Sequence, residues 1–126
     1  MQNLKLEATL YTPYINFDFD NGSFEIKGKS IPEDSHKFYN PLISLVEEYS
    51  NNPLKKTIAS IHLTYFNTSS SKQILEIFRN LEKVYKAGND LLIKWYFESD
   101  DEDTYEAGED YKSFVSIPFE LVEIKA

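Results

Sequence analysis

At 126 residues the chain is long enough for one domain to bury a core without disulfides or metal. It has no cysteine, which excludes a disulfide framework, thiolate metal sites and thiol catalysis, and its formal net charge of −8 argues against nucleic acid and anionic membrane surfaces as partners. No apolar run reaches membrane-spanning length, and Met1 to Lys5 lacks the basic and apolar regions of a signal peptide, so the chain reads as cytoplasmic.

Leu4, Leu6, Ala8 and Leu10 alternate with polar residues, the period-two signature of a half-buried strand that Pro13 interrupts. Ile15, Phe17 and Phe19 alternate again, and Phe24 and Ile26 answer them across Asn21-Gly22. A two-residue Asn-Gly loop favours a type I′ turn, which would set Phe19 opposite Phe24 and Phe17 opposite Ile26. Asp18, Asp20, Asn21 and Gly22 lack the spaced third acid and closing Glu of a calcium loop, so no metal is expected there.

Pro32, Glu33, Asp34 and Ser35 carry helix-start chemistry, and Phe38, Leu42, Leu45 or Val46, and Tyr49 follow at helical spacing. Pro41 predicts either a kink or a fresh start capped by Asn40. His36 falls near the exposed start of this helix and has no second ligand at metal spacing. Thr57 to Phe66 reads as an interior strand with Ala59, Ile61, Leu63 and Tyr65 on one face, leaving His62 on the more polar face as a structural histidine.

From Ile74 a helical stripe of Ile74, Phe78, Leu81 and Tyr85 appears, opposite Glu76, Arg79, Glu82, Lys83 and Lys86, and Gly88-Asn89 stops it. Leu91, Ile93, Trp95 and Phe97 alternate into a further strand, so Thr57 to Phe97 forms a β-α-β unit with parallel strands. Glu98 to Asp110 is acidic and without a basic residue, a solvated loop entering a short helix anchored by Tyr105, Tyr111 and Phe114. Ile117, Phe119 and Leu121 form a last strand, placed at an edge by Pro118. The expected fold is α/β, one mixed sheet with about three helices in the order β-β-α-β-α-β-α-β, filling residues 1–126 as a single domain.

Between strand and helix lies Tyr65-Phe66-Asn67-Thr68-Ser69-Ser70-Ser71-Lys72, with four hydroxyls in the turn. Hydroxyls at a helix start face N–H groups without intrahelical partners and the positive end of the helix dipole. They serve as caps, or they hold or accept a phosphate. A Ser70 cap with Gln73 three residues on would make a capping box and leave Thr68 just ahead of the helix. Ser69 and Lys72 have the Ser-x-x-Lys spacing of penicillin-recognising enzymes, but the companion motifs are absent and the chain is too short. The turn has no glycine and so cannot be a P-loop, and no cofactor is expected.

Thr12-Pro13-x-Ile15-x-Phe17-Asp18, Gly22-x-Phe24-x-Ile26-x-Gly28-x-Ser30, Pro32-Glu33, Phe38-Tyr39-x-Pro41, Asp101-Glu102, Gly108-Glu109 and above all the Tyr65 to Lys72 string resemble the SiaC family of bacterial regulatory phosphoproteins, over nearly the whole chain. The resemblance implies a STAS-like fold similar to anti-sigma-factor antagonists, and no enzymatic activity. It implies a partner-switching role: phosphorylation by a Ser/Thr kinase of anti-sigma-factor type, reversal by a PP2C-type phosphatase, and binding of an effector such as a diguanylate cyclase, linked to cyclic di-GMP and biofilm formation. It places the phosphoacceptor on Thr68, with Tyr65, Phe66, Asn67, Ser69, Ser70, Ser71 and Lys72 as the partner-binding loop and helix start. A small-molecule binding module or minor enzyme using the same 67–72 loop is the alternative reading of the residues.

Overall fold

The computed structural model describes residues 1–125. Along the chain run β1 (Leu4–Leu6), β2 (Tyr14–Asp18), β3 (Ser23–Ser30), α1 (Ser35–Asn51), β4 (Lys56–Phe66), α2 (Thr68–Lys86), β5 (Asp90–Glu98), α3 (Glu102–Phe114) and β6 (Phe119–Ile124). The strands form one sheet in sequence order. β1, β2 and β3 pair antiparallel, and β3, β4, β5 and β6 pair parallel. A helix spans each parallel step, since a tight turn cannot return a chain to a parallel neighbour. This is the expected mixed α/β sheet with three helices, with one more strand ahead of α1 than the expected order contains.

Alternation gives the sheet one inward face. Phe17, Phe24, Ile26, Ile61, Ile93 and Trp95 are buried there, in one cluster with Tyr39, Leu42 and Val46 of α1, Ile74, Phe78 and Leu81 of α2, and Tyr111 of α3. Intervening positions such as Asn16, Glu25, Ser60, His62, Lys94 and Tyr96 are only half-buried. Trp95, expected in the alternating face, is fully buried, and its indole N–H donates to the Thr104 carbonyl at 2.9 Å. Gly108 lets α3 approach: a Cβ there would lie 2.5 Å from Trp95 Cδ1 and 2.6 Å from Leu121 Cδ2.

Several local expectations give way to side-chain hydrogen bonding. The first strand stops at Leu6, and Leu10 is 78 % exposed. Thr9 ends it by folding a turn in which its Oγ1 accepts the Tyr11 and Thr12 N–H groups, drawing the backbone away from the ladder. In the hairpin Phe17 faces Phe24 and Ile15 faces Ile26, so the loop has four residues, Phe19 to Gly22. Gly22 has φ +66° while Asn21 does not reach positive φ, so the type I′ turn is not formed. The Asp18 carboxylate instead accepts from the Asn21 backbone and side chain at 3.2 and 2.7 Å, and Asn3 Oδ1 accepts the Phe19 N–H at 2.8 Å. The slip is two residues, so every side chain keeps its face.

Helix α1 does not restart at Asn40. It runs unbroken from its Asp34 cap with Pro41 in its interior, on an exposed side where water can take the Lys37 carbonyl that Pro41 leaves unbonded. In α3 the cap is Asp101, and most of the acidic segment is helical. Tyr111 anchors it, whereas Phe114 is 55 % exposed and Tyr105 lies on the surface edgewise to Phe97. In α2 Tyr85 is exposed and Glu82 is buried, the reverse of the expected faces.

Glu82 is drawn inward by a partner 34 residues away, the Ser116 N–H, which donates to its Oε2 at 2.6 Å. Arg79 and Lys86 sit 3.4 and 3.8 Å from Oε1, and Arg79 also donates to the Phe114 carbonyl at 2.8 Å, so the carboxylate clips the α3–β6 connection onto α2. The Ser116 N–H above all holds its pKa below the ordinary carboxylate value, against the opposing effect of burial.

Two predictions follow from this packing. Gly108→Ala should cost about 1–3 kcal/mol by overpacking Trp95, read as a lowered denaturation midpoint; unchanged stability would contradict the close approach. Glu82→Gln should cost about 1–2 kcal/mol at neutral pH. A carboxylate with a lowered folded pKa contributes stability that is complete above its unfolded value of about 4.3 and is lost as pH falls through the folded value. The gap between wild type and Glu82→Gln in urea titrations should therefore narrow below about pH 4, and a gap constant from pH 7 to pH 3 would refute the assignment.

Candidate functional site

The turn from Phe66 to Lys72 sits at the C-terminal ends of the parallel strands, where open α/β sheets offer their binding sites. A bulge shapes its entry. Gly28 pairs with Leu63 but Lys29 pairs with Tyr65, so β4 carries an extra residue at Thr64. The bulge reverses the alternation. Phe66 turns inward, edgewise to Trp95 at 5.9 Å, and Tyr65, expected on the inner face with Leu63, is 59 % exposed.

Asn67 caps α2, with its Oδ1 accepting the Ser70 N–H at 2.9 Å and the Ser69 Oγ–H at 3.2 Å. The expected Ser70 cap and its Gln73 box are not formed. Ser70 is the third helical residue and fully buried, and buried Gln73 reaches His36 Nδ1 at 3.2 Å. Thr68 is therefore the first residue of the helix, not the residue ahead of it.

The four hydroxyls have different fates. Ser70 Oγ lies in a buried cluster with Ser30 and Tyr39. Ser71 Oγ meets the Tyr111 hydroxyl at 2.9 Å, and that phenol also donates to the Ser71 carbonyl at 2.8 Å. Burial pushes the Tyr39 phenol up to about 12 and the Tyr111 phenol further, so both stay protonated donors at neutral pH. Ser69 is exposed but engaged by Asn67. Thr68 is exposed, and its hydroxyl has no hydrogen-bond partner among the described residues. One turn on, Lys72 is exposed and without an ion pair among the described residues.

Beside the turn an open groove is lined by Tyr11, Ile31, Pro32, His36, Phe38 and Ser69. The β1–β2 connection forms one wall, pinned where the Ile31 N–H donates to the Tyr11 carbonyl at 2.8 Å. His62 lies on the opposite sheet face near Tyr96, and its Nε2 has no partner among the described residues. None of the acidic side chains in the 98–110 segment reaches the turn through a hydrogen bond among the described residues.

A family model described as the SiaC family regulatory phosphoprotein matches residues 6–124. The chain belongs to the SiaC family. A protein of Pseudomonas aeruginosa (strain UCBPP-PA14) is 28 % identical over 121 residues, 96 % of each chain. The crystal structure of apo-SiaC from Pseudomonas aeruginosa superimposes with a TM-score of 0.88 at 28 % identity, covering 97 % of this chain and 99 % of that one. A second structure, of the diguanylate cyclase SiaD in complex with its activator SiaC from the same organism, gives a TM-score of 0.90 at 27 % identity, over 96 % of this chain and 99 % of that one. Both structural matches extend over nearly the whole length of each chain.

Ser30, Tyr39 and Tyr111 hold the turn although none stood among the site residues read from sequence. A signal existed for two of them. Ser30 continues the inward series Phe24, Ile26 and Gly28, and Tyr39 shares a helical stripe with Leu42, Val46 and Tyr49. Asn67→Ala should destabilise the protein by about 1 kcal/mol in urea unfolding, while Asn67→Asp, which keeps an acceptor at the cap, should lie within a few tenths of wild type. Equal losses in the two variants would rule out Asn67 as the cap.

Proposed function

We propose that this chain is the switched component of a partner-switching pathway. A Ser/Thr kinase of anti-sigma-factor type phosphorylates it on Thr68, a PP2C-type phosphatase reverses this, and the unmodified form binds and regulates a diguanylate cyclase. The observation that carries the reading is the turn itself: of its four hydroxyls, Thr68 alone is both exposed and unbonded among the described residues. The effector class is supported by the relative that activates the diguanylate cyclase SiaD. The reading is of a chain that acts by binding: among the described residues no side chain hydrogen-bonds the Thr68 hydroxyl to activate it as a nucleophile.

Phosphorylation would add about −1.5 to −2 charges and three acceptor oxygens at the first helical residue. The α2 N-terminus tolerates that charge, with a favourable term of about 0.3–1 kcal/mol when exposed. A phosphate buried unpaired in an interface costs several kcal/mol, so modification releases or exchanges a partner that covers Thr68. Tyr65, Ser69 and Lys72 are exposed around it and form the contact surface, while Phe66, Asn67, Ser70 and Ser71 support it from beneath.

Tandem mass spectrometry of protein treated with ATP and the purified candidate kinase should find phosphate on Thr68, and Thr68→Ala should abolish incorporation. Calorimetry against the cyclase should rank affinity as wild type near Thr68→Ala, then Thr68→Glu, then phosphorylated protein, with superimposable circular dichroism. Phosphate confined to Ser69 would move the acceptor. Equal affinity of modified and unmodified protein would end the switching mechanism.

A further inference from the structure

The hydroxyls of Tyr39, Ser30 and Ser70 form a directed chain whose protons can be counted. Ser30 Oγ donates to Ser70 Oγ at 2.9 Å, and Ser70 Oγ donates to the Ser30 carbonyl at 3.1 Å. Ser30 has then used its one proton, so across the 2.6 Å contact between Tyr39 and Ser30 the Tyr39 phenol must be the donor. All three residues are fully buried.

The Ser30 carbonyl also accepts the Asn67 N–H at 3.1 Å. Both its lone pairs are thus taken, one by the residue before Thr68 and one by the residue after Ser69. The Asn67 side chain closes the same loop by accepting from the Ser70 N–H. Thr68 and Ser69 are bracketed between two points fixed to the end of β3.

We propose that Ser70 is the positioning residue of the phosphoacceptor turn: its buried hydroxyl, clamped between the side chain and the carbonyl of Ser30, holds the backbone that carries Thr68 in a fixed position for the kinase. This rests on the reading of Thr68 as the acceptor. Phosphoryl transfer is governed by in-line placement of the attacking oxygen, so a turn already held still removes an ordering cost from the transferring step. Without the Ser70 hydroxyl, Ser30 loses its acceptor and residue 70 is held through its N–H alone, and a helix terminus with fewer tethers opens more often. Serine is the residue that fits. Alanine offers neither donor nor acceptor, and threonine adds a methyl group where nothing is exposed.

The test compares Ser70→Ala and Tyr39→Phe with Val46→Ala, a buried α1 position without a hydrogen bond to the turn, as a control for lost stability. With ATP and the purified candidate kinase, Ser70→Ala should lose about tenfold in kcat for Thr68 phosphorylation with KM within about twofold, Tyr39→Phe should lose less, and Val46→Ala should keep wild-type kcat. Hydrogen exchange read by NMR should show the Asn67 and Ser70 amides exchanging about tenfold faster in Ser70→Ala, with the Ile93 amide unchanged. A wild-type kcat in Ser70→Ala, or an equal loss in Val46→Ala, would overturn the proposal. If wild-type protein took no phosphate on Thr68, the acceptor reading would fail before any variant was compared, and the proposal with it. Unchanged exchange at Asn67 and Ser70 would refute the clamp without touching the acceptor reading.

Discussion

Trp95 is the side chain through which the sheet, the third helix and the hydroxyl-rich turn meet. Its ring lies 5.9 Å from Phe66, 5.1 Å from Tyr111 and 6.4 Å from Phe119, and its N–H is bonded to the Thr104 carbonyl. A buried indole contributes a large apolar area and also demands a partner for its donor, so it fixes distance and orientation together. Phe66 ends β4 and Tyr111 holds Ser71, so the packing that completes the core also places both ends of the turn. Gly108 is the accommodation α3 makes to reach this ring.

The turn combines a rigid frame with a small free element. Asn67, Ser70 and Ser71 are tied to β3, to their own helix start and to α3, and Thr68 projects from among them. Such a division suits a switch. A modification that had to break buried hydrogen bonds would unfold part of the domain, whereas one placed on an unbonded hydroxyl changes charge and leaves the fold alone. On a chain already at −8, a phosphate on Thr68 would reverse the local charge beside Lys72 and bring the net charge to about −10.

The relatives match at TM-scores of 0.88 to 0.90 with 27 to 28 % identity. Cores tolerate extensive apolar exchange when volume and pattern are kept, so shape survives where identity does not. What cannot be exchanged freely is a position whose role is a hydrogen bond in a dry place. Ser30, Ser70, Trp95 and Glu82 are of that kind here.

The sequence by itself determined the inward faces of the strands except at Tyr65, the helical stripes except at Tyr85 and Glu82, and the parallel β4–β5 pairing, because period-two and helical spacing follow from backbone geometry alone. It also located the hydroxyl-rich turn, through residue types that suit a helix start. The hairpin register, the Thr64 bulge, the Asn67 cap and the inward turn of Glu82 were decided elsewhere. Each is set by a hydrogen bond or a strand pairing to a residue distant in sequence: Asn3 for the hairpin loop, Lys29 opposite Tyr65 for the bulge, Ser30 for the helix start and Ser116 for Glu82. Local pattern records which residues are apolar, but only the tertiary structure decides which polar group finds a partner, because a buried donor or acceptor takes whatever partner the fold brings within about 3 Å.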